Sequence, residues 1–156
     1  MTATEIARRG AASDLPAPEE NVPMMHTAIA RAARPLRTDA LVTAVARRWR
    51  SARDRGLPVQ ARLFALLSPR NWEMLVPAFD SLMALSESAM RRPIATGTGR
   101  ELTGDETMLI GLIDGSVPRR DCIDCGVGPA SALDSAIRST RIMMALVMSA
   151  PVGTQA

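Results

Sequence analysis

The two cysteines of this sequence, Cys122 and Cys125, are separated by two residues. This spacing lets two thiolates bind one metal ion or close a small disulfide. A single pair supplies only half of a tetrahedral metal site, and a thioredoxin-like redox motif needs a βαβ context that the sequence lacks. We therefore interpret both as ordinary loop cysteines and assign no metal and no cofactor. Two alternatives stay open: a redox-sensitive or dimer-bridging pair, and a metal site completed by a second copy or by His26 and a carboxylate.

Several classes of reaction are excluded by residue types that are missing or scarce. All 19 basic residues are arginine, so no lysine is present for a Schiff base or a P-loop. His26 is the only histidine, which rules out multi-histidine zinc sites. The glycine-containing segment 97–104 follows no strand, and Asp105 and Glu106 stand where a P-loop has lysine and serine or threonine. The sequence offers no catalytic residues, and we predict that the protein is not an enzyme.

The arginines are distributed unevenly along the chain. Residues 24–72 hold ten arginines and two acidic residues, whereas residues 73–156 hold seven arginines and ten acidic residues. The basic half could bind phosphates or a nucleic acid, but its arginines fan around a helix and form no single track. We expect them to be solvated or paired with the acidic half, within one chain or across a dimer. Such surface pairs contribute about 0–1 kcal/mol each, so no single substitution should unfold the protein. The candidates for an interaction are Arg47, Arg48, Arg50 and Arg53.

The elements that must position these residues are helices in one domain. The small, polar and proline-containing residues 1–22 predict a disordered tail, 23–150 predicts a single helical domain, and 151–156 predicts a disordered C-terminus.

Within the predicted domain, apolar residues recur at helical spacing and no segment shows strand alternation. Thr38 is predicted to cap a helix that stops at Gly56, and Thr103 with Glu106 is predicted to form a capping box. Pro77 must kink its helix or mark a later start. The sequence thus predicts an all-α fold, a compact bundle of five or six helices. The expected helices are 24–34, 38–55, 59–67, 70–90, 103–114 and 129–149.

The last predicted helix ends in a run, Ile142–Met148, in which every residue is apolar. Such a run lies either on the central helix of a bundle or on a strip that another chain covers. Ile142 and Leu146 are the apolar candidates for an interaction.

Residues 69–113 combine a kinked amphipathic helix, Arg92-Pro93, a short loop, and Leu-Thr-x-Asp-Glu at 102–106 opening an apolar helix. In this combination the chain resembles an uncharacterised family of small helical proteins from alphaproteobacteria, and a looser similarity continues through the last helix. The resemblance implies a small helical fold and no mechanism, because the family has no assigned function. The loop that carries the cysteines departs from the family's pattern.

Together these features favour a non-enzymatic protein-interaction or regulatory domain that binds a protein partner or a second copy of itself. The alternative is an arginine-driven protein that binds nucleic acid or an anionic surface, and the third reading is a cysteine-dependent metal or redox protein. No apolar run reaches the roughly 20 residues of a membrane span. The N-terminus also lacks the apolar core of a signal peptide, so we expect the bacterial cytoplasm.

Overall fold

The computed structural model describes residues 36–149, with side chains from residue 38 onward. These residues belong to one unit of the chain, Pro35–Ala156. The predicted tail 1–22, the predicted helix 24–34 and the C-terminal residues 151–156 lie outside the described residues.

Five α-helices form most of residues 36–149, and this part of the chain contains no β-strand. The helices are α1 (Leu36–Asp54), α2 (Val59–Leu67), α3 (Val76–Met90), α4 (Gly104–Asp114) and α5 (Val127–Ser149). Short 3-10 helices at Ser68–Arg70, Glu73–Leu75 and Arg119–Asp121 lie in the connections. The prediction of an all-α fold is confirmed.

Local sequence signals account for two of the helix starts. The Thr103 hydroxyl accepts a hydrogen bond from the Glu106 amide at 3.1 Å, and the Glu106 carboxylate accepts one from the Thr103 amide at 2.9 Å. The predicted capping box is thus confirmed. Pro77 lies in the first turn of α3, so it marks the later start that the sequence allowed. The prediction that Thr38 caps α1 is wrong, because α1 already includes this residue.

One apolar core joins the helices. α3 packs along α5, and α1 packs against α2 and α4. Trp49 and Phe79 are fully buried in this core. The Trp49 indole donates a hydrogen bond of 2.8 Å to Asp80, which satisfies the polar end of an otherwise apolar side chain. Trp49 is therefore part of the core, and its ring is not exposed for contact with a ligand.

The other helices of residues 36–149 anchor α5 along one side only. Its inward-facing residues Leu133, Ala136, Ile137 and Met144 are buried. The Thr140 hydroxyl lies 2.8 Å from the carbonyl of Ala136 and 3.3 Å from that of Ala78, which ties α5 to the first turn of α3. The opposite side of α5 has no neighbour among the described residues.

Candidate interaction site

The last two turns of α5 expose large apolar side chains. Ile142 is 54% exposed and Leu146, one helical turn later, is 63% exposed. Met144, which lies between these two residues in the sequence, is buried, and Met143 and Val147 pack partly against the core. The apolar run therefore does not lie on a central helix. Its inner side completes the core, and its outer side is left uncovered by residues 36–149.

Ile142 and Leu146 belong to a longer row of uncharged residues, which we call the α5 stripe. Residues three and four positions apart share one face of a helix. The α5 stripe consists of the exposed residues Ala132, Ser135, Ser139, Ile142, Leu146 and Ser149. Its first half is made of small side chains, whereas its second half carries the two large ones. The stripe itself is uncharged and its side chains differ in size, and the exposed Arg138 lies beside it, three residues after Ser135 and four before Ile142.

The four candidate arginines of α1 do not share one environment, and Arg47 is the most constrained. Its guanidinium donates to both carboxylate oxygens of Glu106, at 2.5 and 3.0 Å. It also donates to the carbonyls of Gly99 at 2.6 Å and Glu101 at 3.1 Å. Arg47 therefore fastens the loop before α4 to α1. We call this group of contacts the Arg47–Glu106 clamp.

Glu106 is the buried half of that clamp, with a side chain that is 0% exposed. Burial opposes its ionisation, but the hydrogen bonds from Arg47 and from the amides of Thr103 and Gly97 outweigh burial and lower the pKa of Glu106. The loop must also approach closely, because a Cβ at Gly97 would lie 3.1 Å from the Arg47 guanidinium. The expectation that these arginines form only surface pairs is wrong for Arg47.

A second arginine–carboxylate pair lies next to the clamp in sequence. Arg92 donates to the two oxygens of Asp105 at 2.5 and 2.7 Å, and the Ala95 amide donates to Asp105 at 2.7 Å. The hydrogen bonds from Arg92 lower the pKa of Asp105 despite its burial. Asp105 and Glu106 thus hold the two ends of one loop. Sequence reasoning missed both pairs, because Arg47 and Glu106 lie 59 residues apart and Arg92 and Asp105 lie 13 apart across a loop, so no helical spacing joins either pair.

The remaining candidate arginines differ among themselves. Arg50 donates to Glu87 at 2.5 Å and also binds Asp54. Arg53 lies 3.8 Å from Glu87 and stacks 5.1 Å from the Trp49 ring centre. Arg48 is exposed, and no carboxylate of the described residues lies within ion-pair distance of it. Three of the four candidate arginines, Arg47, Arg50 and Arg53, are therefore engaged inside the chain, which removes a continuous basic track along α1.

The cysteines lie in the connection between α4 and α5, and both are free thiols. Cys122 is exposed and Cys125 is half-buried, and they line two different surface grooves. Although the residue as a whole is exposed, partial desolvation of its thiol and the negative charge of the neighbouring Asp121 raise the pKa of Cys122, which lowers the fraction of thiolate near neutral pH. The described residues contain no group of three or more metal-binding side chains. His26, the proposed additional ligand, lies outside them.

A groove of about 690 Å³ lies beside the first turns of α5. Arg119 on its wall donates to Asp134 at 2.7 Å and to the Ile123 carbonyl at 3.2 Å, and lies 3.8 Å from the Cys125 sulfur. The charge of Arg119 is thus already matched by Asp134. This groove shapes the connection into α5 and presents no set of converging reactive groups.

The chain matches no family model, none of the curated proteins and no solved structure. The resemblance of residues 69–113 to an uncharacterised bacterial family therefore stays a prediction. None of the described helices has the length and continuous apolarity that a membrane span requires.

Proposed function

We propose that this protein is a non-enzymatic interaction domain that pairs with a second copy of itself through the α5 stripe, in the bacterial cytoplasm. The observation that carries the proposal is the exposure of Ile142 and Leu146 on a helix whose other side is fully packed. Isolated apolar residues on a surface are ordinary, whereas two large ones within a continuous uncharged row are typical of a contact surface.

The uneven height of the stripe favours a second copy as the occupant. In an antiparallel pair centred on Ser139, Leu146 of one copy lies opposite Ala132 of the other, and Ile142 lies opposite Ser135. Each large residue then meets a small one, and the two-fold axis repeats the same contacts on both sides. The residues of the stripe carry no charge that would select an oppositely charged protein, and the only charge that borders Ile142 at helical spacing among residues 132–149 is Arg138. Its size pattern is instead complementary to itself.

The dimensions of the stripe set the expected strength of this pairing. At 1.5 Å per residue, positions 132–149 span about 26 Å, and one helix face is only about 10 Å wide. This area is well below the roughly 800 Å² per partner of a standard stable interface. We therefore expect a reversible dimer with a dissociation constant of about 10–1000 µM. Such an equilibrium would respond to changes in protein concentration.

Sedimentation equilibrium of the full chain over a range of concentrations tests the proposal. The wild type should show a monomer–dimer equilibrium, and the double variant Ile142→Ser, Leu146→Ser should stay monomeric. Both substitutions lie on the surface, so far-ultraviolet circular dichroism should show unchanged helicity. The matched control is Phe64→Ser with Leu102→Ser, which removes two comparably exposed apolar side chains elsewhere.

The control variant should dimerise as the wild type does. A wild type that stays monomeric up to millimolar concentration would refute pairing through α5. Equal loss of association in both double variants would also refute it, because general surface hydrophobicity would then explain the result. A stable complex with a different protein on the same stripe would replace the second copy as the occupant.

A further inference from the structure

A small groove where α1 meets α2 is lined by three arginines. Its lining side chains are Arg48, Ser51 and Arg55 of α1 and Arg62 of α2, with Ala52 and Leu57 at its base. Gly56 has a φ of 62°, in the left-handed region that glycine adopts without strain. It allows the tight turn that the Leu57 amide closes on the Ala52 carbonyl at 2.9 Å. The turn brings α2 back across the end of α1 and places Arg62 beside Arg48 and Arg55.

The three arginines differ from the paired ones in having no counter-charge among residues 38–149. No carboxylate of the described residues lies within ion-pair distance of Arg48, Arg55 or Arg62. By contrast, Arg47, Arg50, Arg92 and Arg119 each bind a carboxylate. Like charges that converge on one groove repel each other, so this arrangement favours binding of an anion from solution.

We propose that this groove, beyond the role of α5 in pairing, binds one phosphoryl group of a small soluble phosphate monoester. A guanidinium presents two parallel N–H donors that match two oxygens of a phosphate. The Ser51 hydroxyl accepts a hydrogen bond from Arg55, which leaves its own hydrogen available for an anion oxygen. α2 begins at Val59 without a side-chain cap, so the positive end of its dipole adds to the same field.

The size of the groove and its surroundings favour a single phosphoryl group over a nucleic acid. The groove measures about 30 Å³, enough for the outer oxygens of one tetrahedral anion but not for a base or a sugar. A nucleic acid needs several cationic contacts in a row along its backbone. Here the positions that would continue the row, one turn before Arg48 and one turn after Arg62, are the exposed alanines Ala44 and Ala65.

Nuclear magnetic resonance of the full chain tests this site with inorganic phosphate as the probe. The arginine Nε–Hε signals are followed while phosphate replaces chloride at constant ionic strength. Signals of Arg48, Arg55 and Arg62 should shift together and saturate as one site, with a dissociation constant of about 1–10 mM. The triple variant Arg48→Gln, Arg55→Gln, Arg62→Gln should bind phosphate at least about tenfold more weakly.

The matched control is the triple variant Arg70→Gln, Arg91→Gln, Arg100→Gln, which removes the same charge from three exposed arginines elsewhere. Its affinity for phosphate should change less than about twofold, because screening at physiological salt limits the effect of remote charges. Equal weakening in the two triple variants would overturn the site in favour of a general charge effect, and unsaturable shifts would overturn it directly. Duplex DNA that binds these arginines and is not displaced by phosphate would also overturn it, in favour of a nucleic-acid backbone.

Discussion

The two sides of α1 carry the same residue type in opposite circumstances. Arg47 and Arg50 face α3 and the loop before α4, where they bind carboxylates. Arg48 and Arg55 face the α2 side and have no acidic partner among the described residues. Consecutive residues of a helix are rotated by about 100°, so neighbours in sequence enter different surroundings. The position of an arginine on the helix, and not the local density of arginine, therefore decides what it does.

On the paired side the carboxylate partner of Arg47 cannot reach water, and we therefore expect this arginine to contribute to stability. Glu106 has a fully buried side chain, so its charge must be matched inside the protein. Arg47 remains 26% exposed and needs no such compensation. On the unpaired side no carboxylate of the described residues depends on Arg48 or Arg55 for its counter-charge, which leaves these arginines available to a ligand.

The largest expected effect comes from breaking the Arg47–Glu106 clamp. Arg47→Gln leaves the buried carboxylate of Glu106 with its two backbone amides but without its cationic partner. Removing one member of a buried ion pair is strongly destabilising, and the partial exposure of Arg47 moderates the cost to about 2–4 kcal/mol. Urea-induced unfolding, followed by far-ultraviolet circular dichroism, measures the change in the free energy of unfolding.

Arg48→Gln is the matched control, because it removes the same charge from the adjacent position. The control should change the free energy of unfolding by less than about 0.5 kcal/mol, as surface substitutions usually do. If the two variants unfold at the same urea concentration, the ion pair of Arg47 contributes nothing measurable to the free energy of unfolding, and the contrast between the two sides of α1 is wrong.

A smaller effect should follow from acid. Asp105 and Glu106 have pKa values below their usual 3.8 and 4.5 in the folded chain. Both carboxylates therefore add stability at neutral pH, and this contribution is lost as the pH falls from the unfolded values through the lower folded ones. Arg47→Gln removes the hydrogen bonds that lower the pKa of Glu106 most, while the burial that raises this pKa remains. The pKa of Glu106 should therefore be higher in the variant than in the wild type. The difference in the free energy of unfolding between the wild type and this variant should become smaller as the pH falls and Glu106 becomes protonated.

Urea midpoints measured for both proteins from neutral pH down to about pH 3 test this linkage. A difference between wild type and Arg47→Gln that stays constant over this range would show that the ionised form of Glu106 is not what Arg47 stabilises. The urea midpoint of the Arg48→Gln control should differ from that of the wild type by the same small amount at every pH.

The parts of the fold that are governed by short-range rules could be predicted from the sequence. The capping box at Thr103, the buried side of α5 and the helix over 59–67 depend on residues within one or two turns of each other. The Arg47–Glu106 clamp could not be predicted, because the partners lie 59 residues apart and the polar face of α1 offered several equivalent arginines. Only the packing of α4 beside α1 selects Arg47.

The candidate surface on α5 shows a second limit. The run Ile142–Met148 predicts either full burial or cover by another chain, and the sequence alone does not choose between them. The choice depends on how many helices surround α5, which is a property of the whole arrangement. In residues 36–149 the helices cover one side, so Met144 is buried while Leu146 is exposed.

The smallest expected effect, and one with the opposite sign, comes from the unpaired side. The triple variant Arg48→Gln, Arg55→Gln, Arg62→Gln removes three exposed cations that repel one another and bind no carboxylate of the described residues. Its free energy of unfolding should therefore stay the same or rise by up to about 1 kcal/mol, most clearly at low ionic strength where repulsion is least screened. The measurement is urea unfolding in low and high salt. Destabilisation comparable to that of Arg47→Gln would mean that these arginines also hold the fold together, and the contrast between the two sides of α1 would fail. If the triple variant is as stable as the wild type or more stable, the three arginines do not contribute to folding stability. This result is expected for side chains that bind a ligand from solution.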